Sequence, residues 1–446
     1  MTTTTVRIGS GAGFSGDRVS PALDLTERGR LDDLVLECLA ERTIALGQRR
    51  RRHDPSHGYD PLLERRLTTL LPAARRRGVR IITNMGAANP QAAGAVARAV
   101  AQDCGLDSTI GVVTGDDVLD LLDLDQPAIE DGRPIGEHGP VISANAYLGA
   151  ASVLPALRAG ADVVVTGRVA DPSLFLAALV DRFGWDVDDP ATSAAGTMVG
   201  HLLECAGQVT GGYFADPGRK EVPGLADLGF PYADVSADGT AVIGKLPGTG
   251  GVVDRATVRE QLLYEITDPT AYTTPDVQLD LRQASVTQEG RDRVRVEGAV
   301  GRGRPDRLKV SVGYQAGYRA EGEISYVGPH AEKRARLAGE VVATRLRSSG
   351  IELRLDLIGS LDHTGWAGHD GRDRECRLRV AAIGTAERAA DLCHEVEALY
   401  TNGPAGGGGV RTDISEVIGI VSSWIPRDAV SPRVTILEAH GAREIA

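Results

Sequence analysis

Six short runs of β-branched and aliphatic residues, each followed by a helical pattern, fill the first 212 residues and leave few folds open. The runs fall at 5–9, 31–37, 79–84, 109–114, 141–144 and 161–166. Strands this apolar, separated by helices, are covered on both faces, which is the signature of a parallel sheet. We expect a mostly parallel, Rossmann-like doubly wound α/β sheet over residues 1–212. A TIM-like barrel is the alternative, since it also places its site at the carboxyl ends of parallel strands. Beyond Gly211 the texture changes. Gly and Pro punctuate 211–251, short strand patterns follow at 293–298 and 308–313, and helical stretches at 329–348 and 386–400 alternate with strand patterns. This reads as an α+β domain over 213–446.

Composition narrows the partners. The net charge of −12 disfavours nucleic acid and anionic membrane surfaces. No apolar run is long enough to span a bilayer, and residues 1–6 hold no apolar leader, so a cytoplasmic location is expected. The five cysteines (Cys38, Cys104, Cys205, Cys376 and Cys393) show neither paired nor zinc-like spacing, so reduced thiols and no metal centre are expected.

The candidate chemistry gathers at the strand ends. Directly after the first strand comes Gly11-Ala12-Gly13-Phe14-Ser15-Gly16, with Glu37 closing the second strand at the distance of a ribose-binding acid. That pattern admits NAD(P), although Asp17 sits where a pyrophosphate would lie and Pro21 and Gly29 interrupt the helix. A loop in which Gly11, Gly13 and Ser15 hold some other anion is the competing reading. The third strand ends at Asn84, the fourth runs into Asp116-Asp117, the fifth into Asn145 and the sixth into Arg168. Asn89 before Pro90 and Asp171 before Pro172 read as helix caps. In a parallel α/β sheet such ends share one rim, so acids, amides and an arginine converging there form a candidate site.

Two further features stand apart. His201 and Glu204 are spaced to share a helix face, which admits a metal pair but lacks a second His–carboxylate set. Lys245 precedes a Gly-rich turn containing Thr249 and Gly250, a candidate anion cradle without the residue order of a nucleotide-binding P-loop. The loop at 403–409, followed by Arg411, is similar in kind.

Long segments carry a family resemblance: GSGAGFSGDR (9–18), LVLECLAERTIAL (34–46), TNMGAANP (83–90), VISANAYLGA (141–150), ADVVVTGRVADPSLFLA (161–177), HLLECAGQVTGGYFADPG (201–218) and LYTNGPAGGGG (399–409). Together they resemble the acyclic terpene utilisation (AtuA-type) family over nearly the whole chain, in its shorter form without a small extra C-terminal domain. The resemblance implies a place in the catabolism of acyclic terpenes such as citronellol and geraniol, a route run on branched acyl-CoA thioesters. It carries no assigned catalytic set.

The expected function is therefore an enzyme acting on a branched or unsaturated acyl-CoA-type small molecule, by hydration/dehydration or carbon–carbon lysis. Either reaction needs a carboxylate to move a proton and donors to steady an enolate-like oxygen. Glu37 or Asp117 is the expected acid/base, Asn84 and Asn145 the polar donors, and Arg168 the partner of a substrate oxygen. Gly11, Gly13, Ser15, Lys245, Thr249 and Gly250 would hold an anionic tail. Two other classes stay open, an NAD(P)-dependent oxidoreductase and a non-catalytic partner subunit. A homo-oligomer is expected in each case.

Overall fold

The structure, a computed structural model, describes residues 5–359, 375–438 and 441–445; residues 1–4 of the expected leaderless start lie outside them. β1 (Thr5–Ala12), α1 (Ser20–Arg28), β2 (Asp33–Leu36), α2 (Glu41–His53), α3 (Leu63–Arg77), β3 (Arg80–Thr83), α4 (Pro90–Asp103) and β4 (Ile110–Thr114) come first. Then follow β5 (Val141–Ala146), α5 (Leu154–Arg158), β6 (Val163–Thr166), α6 (Asp171–Phe183) and α7 (Pro190–Leu203). The next stretch holds β7 (Pro231–Ser236), β8 (Ala241–Lys245), α8 (Arg255–Leu262), β9 (Tyr272–Thr273), β10 (Gln278–Asp280), β11 (Ser285–Gly290), β12 (Arg293–Glu297), β13 (Val300–Arg302) and β14 (Arg307–Val327). The chain ends with α9 (Ala331–Leu346), β15 (Arg354–Ile358), β16 (Glu375–Gly384), α10 (Ala386–Asn402), β17 (Gly407–Pro426), β18 (Arg433–Glu438) and β19 (Gly441–Ile445).

Local chemistry sets these boundaries. Asn89 caps α4 by accepting the Ala92 N–H, with Pro90 at the first turn. Asp254 builds a reciprocal capping box with Thr257 on α8.

The main sheet runs in the order β11-β12-β8-β7-β1-β2-β3-β6-β4-β18-β19. Its five central strands, β1, β2, β3, β6 and β4, are mutually parallel. Antiparallel strands extend it on both sides, through β7 next to β1 and β18 next to β4. The fold is thus α/β with a mixed sheet around the expected parallel centre. Alternation along the strands sends Leu34, Leu36, Ile81, Val163 and Val165 into one core with Leu25 of α1, Leu67 of α3 and Ala93 of α4. Each such fully buried aliphatic side chain contributes about 1.5–3 kcal/mol. On the helices that follow β6, α6 touches β1 and β2 and packs along α7.

One expected strand is placed elsewhere. β5 is absent from the parallel set and pairs with β14. Its sequence, VISANA, alternates polar Ser143 and Asn145 with apolar residues, whereas β2, β3 and β6 are nearly continuous apolar runs.

The chain divides into two compact units, one of Met1–Ile135, Ile142–Gly313 and Ile420–Ala446, the other of Gly136–Val141 and Tyr314–Gly419. The expected division at 212/213 runs inside the first unit, because β7, β8, β11 and β12 continue the first sheet by antiparallel pairing. In the second unit α9 and α10 share a core with its strands, built on Ala320, Ile324, Val342, Leu378, Leu392 and Val396. Among the described residues no helix is long and apolar enough to cross a membrane, and all five cysteines are free thiols.

At the amino ends of the parallel strands the Asp33 carboxylate is fully buried between two arginines. It accepts from Arg80 Nε at 2.6 Å and Arg182 Nε at 2.9 Å. Asp33→Ala is expected to destabilise the protein by about 1–3 kcal/mol, because both arginines lose a buried carboxylate while Arg80 keeps Asp181 and Arg182 keeps the Asp32 carbonyl. Urea unfolding measures this; a loss below about 1 kcal/mol would place the trio among solvent-screened pairs.

Candidate active site

The carboxyl ends of the parallel strands meet around one buried arginine. Arg168 follows β6 and is 1% exposed. Its guanidinium donates to the Leu39 carbonyl, to the Val169 carbonyl at 2.7 Å and to the Asp171 carboxylate. Its carbon also lies 4.4 Å from the centre of the Tyr147 ring, an arrangement that favours a cation. The Arg168 backbone N–H donates at 2.9 Å to Asp116, whose same oxygen accepts from Asn145 Nδ2 at 2.9 Å. One carboxylate thereby ties the ends of β4, β5 and β6. Gly167 makes this approach feasible, since a Cβ there would fall 2.4 Å from the Asp116 carboxylate.

Glu37 stands beside this arginine, 7% exposed. Its Oε1 accepts from Asn84 Nδ2 and from the Leu39 N–H, both at 2.8 Å. Burial raises its carboxyl well above the usual range, the negative charge of Asp171 adds to this, and Arg168 opposes it. Asp171 is raised by burial despite the arginine. Glu204 is raised well above the usual range by burial and by the charges of Asp171 and Glu265. Glu41 goes the other way. Burial opposes its ionisation, but the Tyr147 hydroxyl and Lys309 Nζ, 3.4 Å away, hold it down to about 2.

These groups face a cavity of about 620 Å³ in the first unit. Six carboxyls line it: Asp17, Glu37, Glu41, Asp171, Glu204 and Glu265. Leu39, Leu228 and Phe230 supply apolar wall, and Phe14, Tyr213 and Leu225 an exposed apolar rim. Tyr213 and Glu265 hold left-handed backbone (φ 61 and 58), strain of the kind that collects at ligand sites.

A comparison with protein families matches residues 6–436 to "Acyclic terpene utilisation family protein AtuA". The chain belongs to the acyclic terpene utilisation family. Comparisons with curated proteins and with solved structures return no match. Four of the family-like segments converge on the cavity: 9–18 supplies Gly13 and Asp17, 34–46 supplies Glu37 and Glu41, 161–177 supplies Asp171, and 201–218 supplies Glu204.

Of the residues singled out in this family chain, Glu37, Asn84, Asn145 and Arg168 are brought together, with changed parts. Asn84 lies behind Glu37, its Oδ1 accepting from the Cys38 N–H at 2.7 Å, so both its polar ends hold the 37–39 segment. Arg168 is outside the cavity lining and directs its N–H groups at carbonyls and Asp171 rather than at a ligand. Asp117 is exposed and turned toward Gln48 (3.1 Å) and Arg51 (3.5 Å); its neighbour Asp116 faces the network instead, as opposite-pointing adjacent residues require.

The glycine loop is not arranged as a phosphate cradle. Gly11 lies in β1 against Leu36, the Gly13 N–H donates to Asp17 at 2.7 Å, and the Ser15 carbonyl accepts from buried Arg66 at 2.8 Å. Helix α1 starts only at Ser20. Lys245 is likewise committed elsewhere, to the Thr249 carbonyl at 2.9 Å and Asp292 at 3.4 Å. Thr249 donates to the Leu246 carbonyl and Gly250 abuts Gly224, so none of the three lines the cavity. Residues 403–409 lie in the second unit, where 407–409 begin strand β17.

His201 Nδ1 lies 2.8 Å from Glu204 Oε1, and no cluster of three metal-ligating side chains occurs among the described residues. Asp171, read as a cap, begins α6 while Ala170 holds the cap position. Glu41, Tyr147 and Asp116 were missed, although Asp171 stands three residues from Arg168, a spacing at which opposite charges meet.

The raised Glu37 carboxyl has a consequence for stability. Its folded pKa exceeds its unfolded one, so its own contribution to stability is fully present below about pH 4.3 and is lost as pH rises through the folded value. Glu37→Gln is therefore expected to gain on the wild type as pH rises from 5 to 9 in urea-unfolding midpoints. Parallel profiles for the two proteins would contradict a protonated Glu37.

Proposed function

We propose that the chain is an enzyme that adds or removes water across the carbon–carbon double bond of a branched, acyclic acyl thioester, with Glu37 as proton donor. The observation that carries this reading is a buried carboxyl at the wall of a partly apolar cavity, whose pKa burial raises well above the usual range. Hydration of a conjugated thioester needs a proton delivered to one carbon while water attacks the other. A carboxylic acid that stays protonated near neutral pH suits the first task.

The cavity's charge supports the substrate class. Among the described lining residues Arg18 is the only cationic side chain, and it donates to the Ala226 carbonyl at 2.9 Å. A free carboxylate would meet the ionised Glu41 and burial that disfavours charge, whereas a thioester presents a neutral acyl group there. The apolar rim of Phe14, Tyr213 and Leu225 suits a branched hydrocarbon chain, and family membership supports a terpenoid one. The glycine loop's geometry favours this over nicotinamide chemistry.

The test is turnover of branched, acyclic α,β-unsaturated acyl thioesters in deuterated water, read by mass spectrometry. Deuterium and a hydroxyl should enter the product, and Glu37→Gln should lower turnover about 10²–10⁴-fold. Shortened acyl products would point to carbon–carbon lysis instead. No turnover across the panel, or an unaffected Gln variant, would leave the partner-subunit reading in its place.

A further inference from the structure

The acid-lined cavity offers little to an anionic handle on the substrate. Its cation among the described residues, Arg18, is exposed and donates to a backbone carbonyl. A second cavity of about 180 Å³, also within the first unit, shares Glu41 and Asp171 with it and carries cations instead. Residues 302–309, RGRPDRLK, place four basic side chains close together at the start of β14. Arg302 and Arg304 are paired, with Asp280 at 3.8 Å and Asp188 at 2.7 Å. Arg307 is exposed, and its guanidinium makes one contact among the described residues, a donation to the Trp424 carbonyl at 3.3 Å. Its other N–H groups are open to a ligand. Strand alternation buries Leu308 and Val310 and sends Lys309 out beside Arg307. The Trp424 side chain, 37% exposed, lines the same cavity. Arg427 fixes the opposite wall by donating to the Pro275 and Pro305 carbonyls.

Resting on the thioester reading above, we propose that Arg307, Lys309 and the Trp424 ring form the seat of the substrate's phosphate-bearing end, the nucleotide of a coenzyme A-type carrier. The charges support an anion here. The two carboxylates of this cavity already have partners, Asp171 in Arg168 and Glu41 in Tyr147 and Lys309, so Arg307 is the cation left without one. A guanidinium fork beside an ammonium suits phosphate oxygens. The volume is below the roughly 300–1,000 Å³ of whole-ligand pockets, so it takes a phosphate while the base stays at the mouth. A half-exposed indole there is a stacking platform for that base. In a carrier thioester a long flexible arm separates the phosphates from the reacting carbons, so the anionic end and the neutral acyl end can occupy chambers of opposite character that share one wall.

Calorimetric titration of the full chain with coenzyme A, adenosine 3′,5′-bisphosphate, inorganic pyrophosphate and phosphate-free pantetheine tests this. Coenzyme A should bind at least about 10-fold more tightly than pantetheine, and Arg307→Ala, a change at an exposed side chain, should weaken it about 10–100-fold. Arg307→Lys should recover part of the loss, and added salt should weaken the wild type more than Arg307→Ala. Trp424→Leu should weaken the adenosine bisphosphate about 10-fold and leave pyrophosphate unchanged. Equal affinity for coenzyme A and pantetheine, or for coenzyme A in wild type and Arg307→Ala, overturns the proposal. Pyrophosphate binding as tightly as coenzyme A also overturns it, in favour of a plain phosphate site. The Glu37 reading is judged separately, by turnover of an unsaturated acyl-pantetheine that carries no phosphate: turnover without an Arg307-dependent affinity sinks only the seat, and an Arg307-dependent affinity without turnover of any thioester sinks only the hydration chemistry.

Discussion

The buried guanidinium of Arg168 is the interaction on which the site depends. A cation removed from water costs several kcal/mol unless its donors are met and its charge is balanced. Here two backbone carbonyls, one carboxylate and one aromatic face do that work. Each partner comes from a different place: Leu39 after β2, Asp171 at the start of α6, Tyr147 after β5. The arginine thus sets the geometry of the acids around it while remaining outside the cavity itself. Its charge also opposes the rise that burial imposes on them. Without it, Glu37 and Asp171 would face one another with burial and mutual repulsion both acting against ionisation.

Burial and pairing act against one another on the acids of the cavity. Six carboxyls cannot all ionise in a half-buried space without mutual repulsion. Burial raises Asp17, Glu37, Asp171 and Glu204, and among the six Glu41 alone is driven down, by a phenol and an amine on its far side. Environments that push neighbouring carboxyls apart in this way are how one site holds acids and bases at the same pH.

Much of the fold was legible because its central strands are so apolar. Runs such as VVVT and DLVL have no polar face to show solvent, so they specify a two-sided parallel layer. What could not be read was partner choice. β7 and β8 lie in a Gly- and Pro-rich stretch, and nothing local tells an edge extension of the first sheet from the start of a new domain. The site was legible as a rim, and Glu37 and Arg168 emerged from that logic. It failed at the level of single side-chain direction: Asp116 and Asp117 are equivalent in sequence, and only the turn after β4 decides which one points inward. Lys245 shows the opposite failure, since a lysine beside glycines can satisfy its charge inside its own turn.

Glu41 and Asp171 also line a second, smaller cavity of about 180 Å³, so they form a wall with space on both sides. The two faces differ. Toward the larger cavity the wall looks onto other carboxyls and an apolar rim; toward the smaller it looks onto Lys309, Arg307, Tyr147 and Tyr272. The Tyr147 hydroxyl, with Lys309 behind it, holds Glu41 down on that side, and the charge of Arg168, felt by both acids, links the two environments. Burial therefore works against the charge of Asp171, and its pairing with Arg168 works for it. Replacing any one of the three moves the balance on both sides of the wall, because each charge is felt in a region of low dielectric where screening by water is weak.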